Sequence, residues 1–145
     1  MVAGCEMARH CETFEHTADV GLAARADTLA ELMAALAEGL TDVICERSGV
    51  RPVERRTVRV KAEDVEALAV DFLSEVLLAF DADHFLAAEI SVSDAAETSL
   101  AAELTGETYD RARHELLNEV KAVTYHMLKV AREGDEWAAT VVLDL

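Results

Sequence analysis

The chain has 145 residues, 52% of them hydrophobic and 5% aromatic, and these proportions indicate one globular domain with a core of its own. Its formal net charge of −16 argues against direct nucleic-acid binding, which needs a basic surface, and favours cations or a basic protein partner. Three cysteines without a C-x-x-C spacing argue against a disulfide framework or a zinc knuckle. No apolar run reaches the ~20 residues that span a bilayer. A cytoplasmic protein without a membrane segment is therefore expected.

The first twelve residues show no hydrophobic period, and they are predicted to be a flexible leader. A single domain is then predicted over residues 13–145. It begins with two short strand candidates, residues 13–17 and 20–26, whose apolar content is modest.

The connection between these two strands concentrates polar chemistry. It places an imidazole, a hydroxyl and a carboxylate close together, at His16, Thr17 and Asp19. Gly21 follows, and glycine permits turn conformations that other residues rarely adopt. The sequence therefore predicts a strand–turn–strand unit with reactive groups at its tip.

Two helices are predicted from their start signals and apolar faces. Thr28 with Glu31 three residues later has the spacing of a capping box, and apolar residues then recur at helical spacing to about Cys45. Asp64 is the expected cap of a second helix, whose apolar stripe continues to Phe80. Both helices are expected to lie side by side on one face of a sheet.

The remaining strands follow from alternation and turn signals. Residues 57–61 alternate polar and apolar with a basic solvent face, and residues 85–93 and 100–106 read as two further strands. Residues 109–118 are polar and irregular, which indicates a loop. The fold class predicted is α+β, a two-layer sandwich with two helices packed on one face of a mostly antiparallel or mixed sheet.

The chain is expected to finish in a hairpin. Gly134-Asp135 is a strong two-residue turn signal, which places Glu133 opposite Glu136. Continuing that register places Asp144 opposite Tyr125. The neighbours of that position are Thr124 and His126.

Asp19 and Asp144 form the sharpest candidate site. Asp144 ends an apolar strand one residue before the terminal carboxylate of Leu145. Clustered carboxylate oxygens suit hard cations such as calcium or magnesium, provided that the sheet brings Asp19 alongside. The alternative interpretation is an ordinary turn aspartate and a frayed terminus.

Other titratable groups are weaker candidates. His16 and His126 could act as bases or metal ligands, and Lys121 could bind phosphate, although a lone strand histidine more often has a structural role. No Ser-His-Asp order, G-x-S-x-G, P-loop or H-E-x-x-H motif is present, so the residues give little support for catalysis by the chain itself.

Three segments resemble signatures of the archease family. They are F-E-H-T-A-D-V-G at residues 14–21, K-A-V-T-Y-H at 121–126 and V-V-L-D-L at 141–145. The resemblance covers residues 13–145 and implies a small two-layer α+β domain. One departure is Arg111, which stands where the family often has proline and predicts a less rigid loop.

The resemblance also implies a function. Archeases are non-enzymatic accessory proteins that activate an RtcB-type RNA ligase in tRNA splicing, or in RNA repair, by promoting its guanylylation and turnover. It implies a divalent cation at Asp19, Asp144 and Leu145, calcium first, with magnesium or manganese as alternatives. The secondary candidates around this site are His16, Thr17, Lys121, Thr124 and His126.

Two alternatives from other classes stay open. One is a metal-dependent hydrolase that uses a cation-bound water with His16 or His126 as the base. The other is a general chaperone or scaffold without a dedicated ligase partner.

Overall fold

Two helices contact the strands of two antiparallel sheets in this computed structural model, which describes residues 9–15 and 19–145. The arrangement confirms the predicted α+β class and the antiparallel pairing. The elements are β1 Arg9–Glu15, β2 Asp19–Ala26, α1 Leu29–Ile44, β3 Glu54–Lys61, α2 Val65–Asp83, β4 Phe85–Ala96, β5 Ser99–Thr108, β6 Ala122–Glu133 and β7 Glu136–Asp144.

The strands are divided between two sheets, where the sequence had suggested one. A four-stranded sheet has the order β1-β2-β7-β6, and a three-stranded sheet has the order β3-β5-β4. Each helix contacts both sheets: α1 contacts β2 and β4, and α2 contacts β6 and β3. Within the described residues, no helix combines the length and apolarity needed to cross a membrane. Fully buried core side chains include Leu22, Leu36, Phe72, Leu104 and Leu143.

Both helices begin directly after the predicted cap residues, Thr28 and Asp64. The Thr28 hydroxyl accepts a hydrogen bond from the Glu31 backbone N–H at 3.1 Å, and Asp64 accepts one from the Ala67 N–H at 2.8 Å. These bonds satisfy backbone donors that the first turn of a helix leaves unpaired. The Glu31 carboxylate pairs with Arg9 at 3.2 Å, which ties the start of α1 to β1.

β1 begins earlier than the sequence suggested. Residues 9–12 of the predicted leader belong to this strand, where Arg9 also pairs with Glu38 at 2.8 Å. Residues 1–8 lie outside the described part of the chain. Burial raises the pKa of Cys11 to about 12 and that of Cys45 to about 11, so both thiols stay protonated at neutral pH.

Gly21 has a different role from the one predicted. It lies inside β2, opposite Phe14 of β1, and not in the turn. A Cβ atom at Gly21 would lie 1.9 Å from Cζ of the Phe14 ring. Glycine is required there because the aromatic ring of the neighbouring strand covers the backbone, a known way to protect a glycine within a sheet.

Gly21→Ala is therefore expected to lower the free energy of unfolding by about 1–2 kcal/mol, because the Phe14 ring must move to admit the methyl group. Urea unfolding would measure the change. The double variant Gly21→Ala/Phe14→Ala should show a non-additive recovery, since the clashing ring is removed. Strictly additive losses would contradict this origin of the glycine requirement.

Candidate metal centre

Asp19 and Asp144 are directly opposed across the four-stranded sheet. β2 and β7 pair antiparallel, with Asp19 opposite Asp144 and Val20 opposite Leu143. Val20 and Leu143 pack in the core, so the two aspartates point to the opposite face, away from the helices. Directly opposed residues have Cβ atoms about 4.5–5.5 Å apart. The structure thus joins the two sequence-predicted carboxylates at one point.

The two carboxylates have no ion-pair partner among the described residues. Neither Asp19 nor Asp144 forms an ion pair with a described residue, and like charges placed directly opposite each other destabilise a sheet. The described residues contain no group of three or more His, Cys, Asp or Glu side chains that could hold a metal. The Leu145 side chain packs against the core and keeps its main-chain oxygens next to Asp144. This oxygen-only donor set fits a hard cation, although calcium takes 6–8 oxygens and needs further ligands.

The third strand at this position is β6, and its register differs from the prediction. The Glu133–Glu136 pair and the turn with Gly134 at φ 66° are as predicted. Asp144, however, lies opposite Ala122, so the predicted pairing with Tyr125 is wrong by three residues. The backbone N–H of Lys121 donates to the main-chain oxygen of Asp144 at 2.7 Å.

A bulge in β6 causes this shift. The stretch between Thr124 and Lys129 contains four residues, whereas the facing stretch of β7 contains only Val141. Met127 accommodates the extra chain with a left-handed backbone at φ 55°, which is rare for a residue other than glycine. The sequence carries no glycine or asparagine that would have signalled the bulge.

Three of the four bulge residues, 125–127, are exposed, and Leu128 packs against the core. Thr124 anchors the bulge, because its hydroxyl donates to the Val142 carbonyl at 2.9 Å and accepts from the His126 N–H at 3.3 Å. Tyr125 is 62% exposed and Met127 53% exposed. His126 is also exposed and is not opposite Asp144, which removes the register argument for His126 as a base. The other two candidates, His16 and Thr17, lie outside the described residues.

A buried carboxylate that the sequence did not single out holds the loop after β5. Glu107 accepts hydrogen bonds from the Arg51 N–H at 2.9 Å, from Arg113 at 2.6 and 3.1 Å, and from His114 at 2.8 Å. The hydrogen bonds from Arg113, followed by the one from the Arg51 backbone, hold the pKa of Glu107 far below its usual range.

His114 completes this network in a defined tautomer. Its Nδ1 accepts from the Asp110 backbone N–H at 2.8 Å, so Nε2 carries the hydrogen that is donated to Glu107. The loop around Arg111 is thereby anchored on both sides. Its far end is tied to the end of α1 by the Leu117 N–H, which donates to Ile44 at 2.8 Å, before it reaches Lys121.

Fold and site together define an acidic α+β domain with two opposed carboxylates at one end of its larger sheet. The sequence profile of the Archease protein family (MTH1598/TM1083) matches residues 11–145. The chain belongs to this family. Membership supports an accessory role.

Archeases of known sequence match almost the full chain. The archease of Thermococcus gammatolerans is 39% identical over 141 residues, which cover 94% of this chain and 99% of that protein. The archease of Methanopyrus kandleri is 35% identical over 137 residues, 92% and 98% of the two chains.

Two solved structures share the fold. The solution structure of protein 1598 of Methanobacterium thermoautotrophicum has a TM-score of 0.77 and 32% identity, and the match covers 93% of this chain and 98% of that one. A crystal structure of an archease from Thermotoga maritima, described as a possible chaperone, has a TM-score of 0.57 and 23% identity over 92% and 96% of the two chains. The second likeness supports the fold alone.

Proposed function

We propose that this protein binds a divalent cation, calcium before magnesium or manganese, and activates an RtcB-type RNA ligase of tRNA splicing or RNA repair without being an enzyme itself. The observation that carries the cation site is the direct opposition of Asp19 and Asp144 across β2 and β7. Main-chain oxygens of Leu145 would complete the protein's share of the ligands. The ligase role rests on membership in the archease family.

The proposed centre would present the positive charge of its cation at the surface of the four-stranded sheet. A bound cation would offset the repulsion between Asp19 and Asp144 and supply positive charge for phosphate or carboxylate oxygens of the ligase complex. Lys121 holds the end of β7 through its backbone N–H, and its own ammonium has no ion-pair partner among the described residues. The exposed Tyr125 and Met127 add the residue types enriched at protein interfaces.

Asp19→Asn should weaken calcium binding at least about tenfold, because one of the two carboxylate ligands becomes a neutral amide. Thermal unfolding with and without calcium measures this. A cation at about 100 times its Kd stabilises the native protein by about 2.7 kcal/mol, and the variant should lose most of that gain. Without calcium the variant should be no less stable than the native protein, since a like-charge pair has been relieved.

Asp135→Asn is the matched control, because this exposed aspartate lies in the hairpin turn of the same sheet and the change in charge is identical. It should keep the full calcium-dependent stabilisation. Equal calcium stabilisation of Asp19→Asn and the native protein would exclude the proposed site.

The activator role has its own assay. Guanylylation of the ligase is measured alone, with the native protein, and with Asp19→Ala or the Asp135→Asn control. The native protein and the control should raise guanylylation over repeated turnovers, and Asp19→Ala should not. Guanylylation that is unchanged by the native protein would overturn the activator proposal, whatever the calcium measurements give.

A further inference from the structure

The positive charge of this acidic protein is concentrated around β3. Five of the thirteen Lys and Arg residues fall between positions 51 and 61, although the net charge of the whole chain is −16. The five are Arg51, Arg55, Arg56, Arg59 and Lys61.

Two of these five cations are free. Arg51 pairs with Glu107, Arg55 with Glu103 at 3.5 Å, and Arg56 with Asp83 at 2.7 Å. Arg59 and Lys61 are exposed, and neither has an ion-pair partner among residues 9–15 and 19–145. The other described cations without an ion pair or an aromatic contact are Arg111 and Lys121, and both lie outside any strand.

β3 also offers an open strand edge. It is the outermost strand of the three-stranded sheet, and within the described chain it pairs with β5 alone. Arg59 and Lys61 stand on one face of the strand, opposite Ala101 and Ser99 of β5. Arg59 and Lys61 line an open surface pocket of about 410 Å³ together with Ser99, Ala101 and the acidic Asp94.

We propose that β3 docks an extended acidic segment of a protein partner. The segment adds to the open edge through main-chain hydrogen bonds and sets its carboxylates against Arg59 and Lys61, a recognised mode of peptide binding. The backbone groups of an edge strand complement a polypeptide. Two free cations on a chain of net charge −16 are too few to hold a nucleic-acid backbone through counterion release.

This surface is separate from the proposed cation centre. β3 belongs to the three-stranded sheet, whereas Asp19 and Asp144 lie on the four-stranded sheet. The inference therefore stands or falls independently of cation binding and of ligase activation, and it assigns a second contact surface on the other sheet.

The test uses the full chain and a fluorescein-labelled peptide of four Glu-Val repeats, followed by fluorescence anisotropy at low salt. Saturable binding is expected. Arg59→Glu should weaken it at least about threefold, and Arg59→Glu/Lys61→Glu at least about tenfold, since each exposed charge contributes modestly. Arg111→Glu is the matched control, because it reverses another free, exposed arginine and should leave the affinity within about twofold. Thermal unfolding verifies that each variant is folded.

Two further measurements test where the peptide binds on the protein and which kind of ligand the site prefers. Amide chemical-shift changes in the labelled protein should be largest along β3, and a Lys-Val peptide and a single-stranded RNA decamer should bind more weakly than the Glu-Val peptide. Absence of Glu-Val binding, equal weakening by Arg111→Glu, shifts centred elsewhere, or tighter RNA binding would each overturn the proposal. Self-association that depends on Arg59 and Lys61 would assign the edge to a second copy of the chain and would overturn it too.

Discussion

Gly106→Ala is expected to lower the free energy of unfolding by about 3 kcal/mol, the upper end of the usual cost of overpacking. A Cβ atom at Gly106 would lie 1.8 Å from the backbone oxygen of Leu86 and 3.0 Å from the Cα of Ala87. Both atoms belong to the backbone of β4, which pairs with β5 at this position next to a register shift. No side-chain rotation can relieve such a contact, so the two strands must separate.

Thermal unfolding should show a decrease in Tm of about 10 °C for Gly106→Ala, given roughly 3 °C per kcal/mol for a domain of this size. Gly49→Ala is the matched control, because its Cβ would meet nothing closer than the Arg113 oxygen at 3.8 Å. That variant should stay within about 0.5 kcal/mol of the native protein. Equal stability losses in the two variants would show that the close approach of the β4 backbone is not the reason why glycine is required at position 106.

Glu107→Gln is expected to lower stability strongly at neutral pH and to flatten the acid limb of the stability profile. The carboxylate is buried and accepts hydrogen bonds from Arg51, Arg113 and His114. Glutamine removes the negative charge, so the guanidinium groups of Arg51 and Arg113 lose the carboxylate that both of them contact. Breaking a buried ion pair from one side is more costly than losing an exposed one.

The sign of the pH effect follows from the lowered pKa of Glu107. Because the folded pKa lies below the unfolded value of about 4.5, the ionised group stabilises the fold fully above that value. The contribution is lost as the pH falls from there toward the folded pKa. Urea unfolding at a series of pH values should therefore show a shallower loss below about pH 4.5 in Glu107→Gln than in the native protein.

Glu103→Gln provides the control for this experiment. Glu103 lies on β5, as Glu107 does, but its ion pair with Arg55 at 3.5 Å is at the surface. It should leave both the neutral stability and the acid limb nearly unchanged. Parallel stability profiles for the native protein and Glu107→Gln would contradict the proposed role of the buried carboxylate.

Local signals in the sequence were sufficient for the helices and the last turn. Thr28 and Asp64 cap the two helices with the predicted hydrogen bonds, and Gly134 forms the predicted turn. Each of these features depends on a few consecutive residues. Short-range hydrogen bonding and glycine conformation decide them before any tertiary contact forms.

Register and long-range networks could not be predicted in the same way. Met127 adopts a left-handed backbone without being one of the residue types that favour it, so the bulge and the three-residue shift have no local signature. Glu107 looks like an ordinary charged strand residue, and its burial depends on Arg51 and on a loop residue, Arg113. Only the Arg113-His114 pair after the strand could have pointed to a buried acceptor.

The candidate site lies between these cases. The two aspartates were identified from their sequence positions and from the archease resemblance, and β2–β7 pairing was the condition on which their meeting depended. The structure contains this pairing, with Asp19 opposite Asp144. The displacement of His126 follows from the bulge, and residue types alone gave no sign of it.

The order of the four-stranded sheet bears on how the protein is made. Its strands are the first two and the last two of the described chain, and β7 is inserted between β2 and β6. The segment between, with both helices and the three-stranded sheet, is continuous in sequence and is synthesised before β6 and β7. Asp19 meets Asp144 only after β7 has been translated and inserted, so the proposed cation centre can form only after the rest of the described fold has been synthesised.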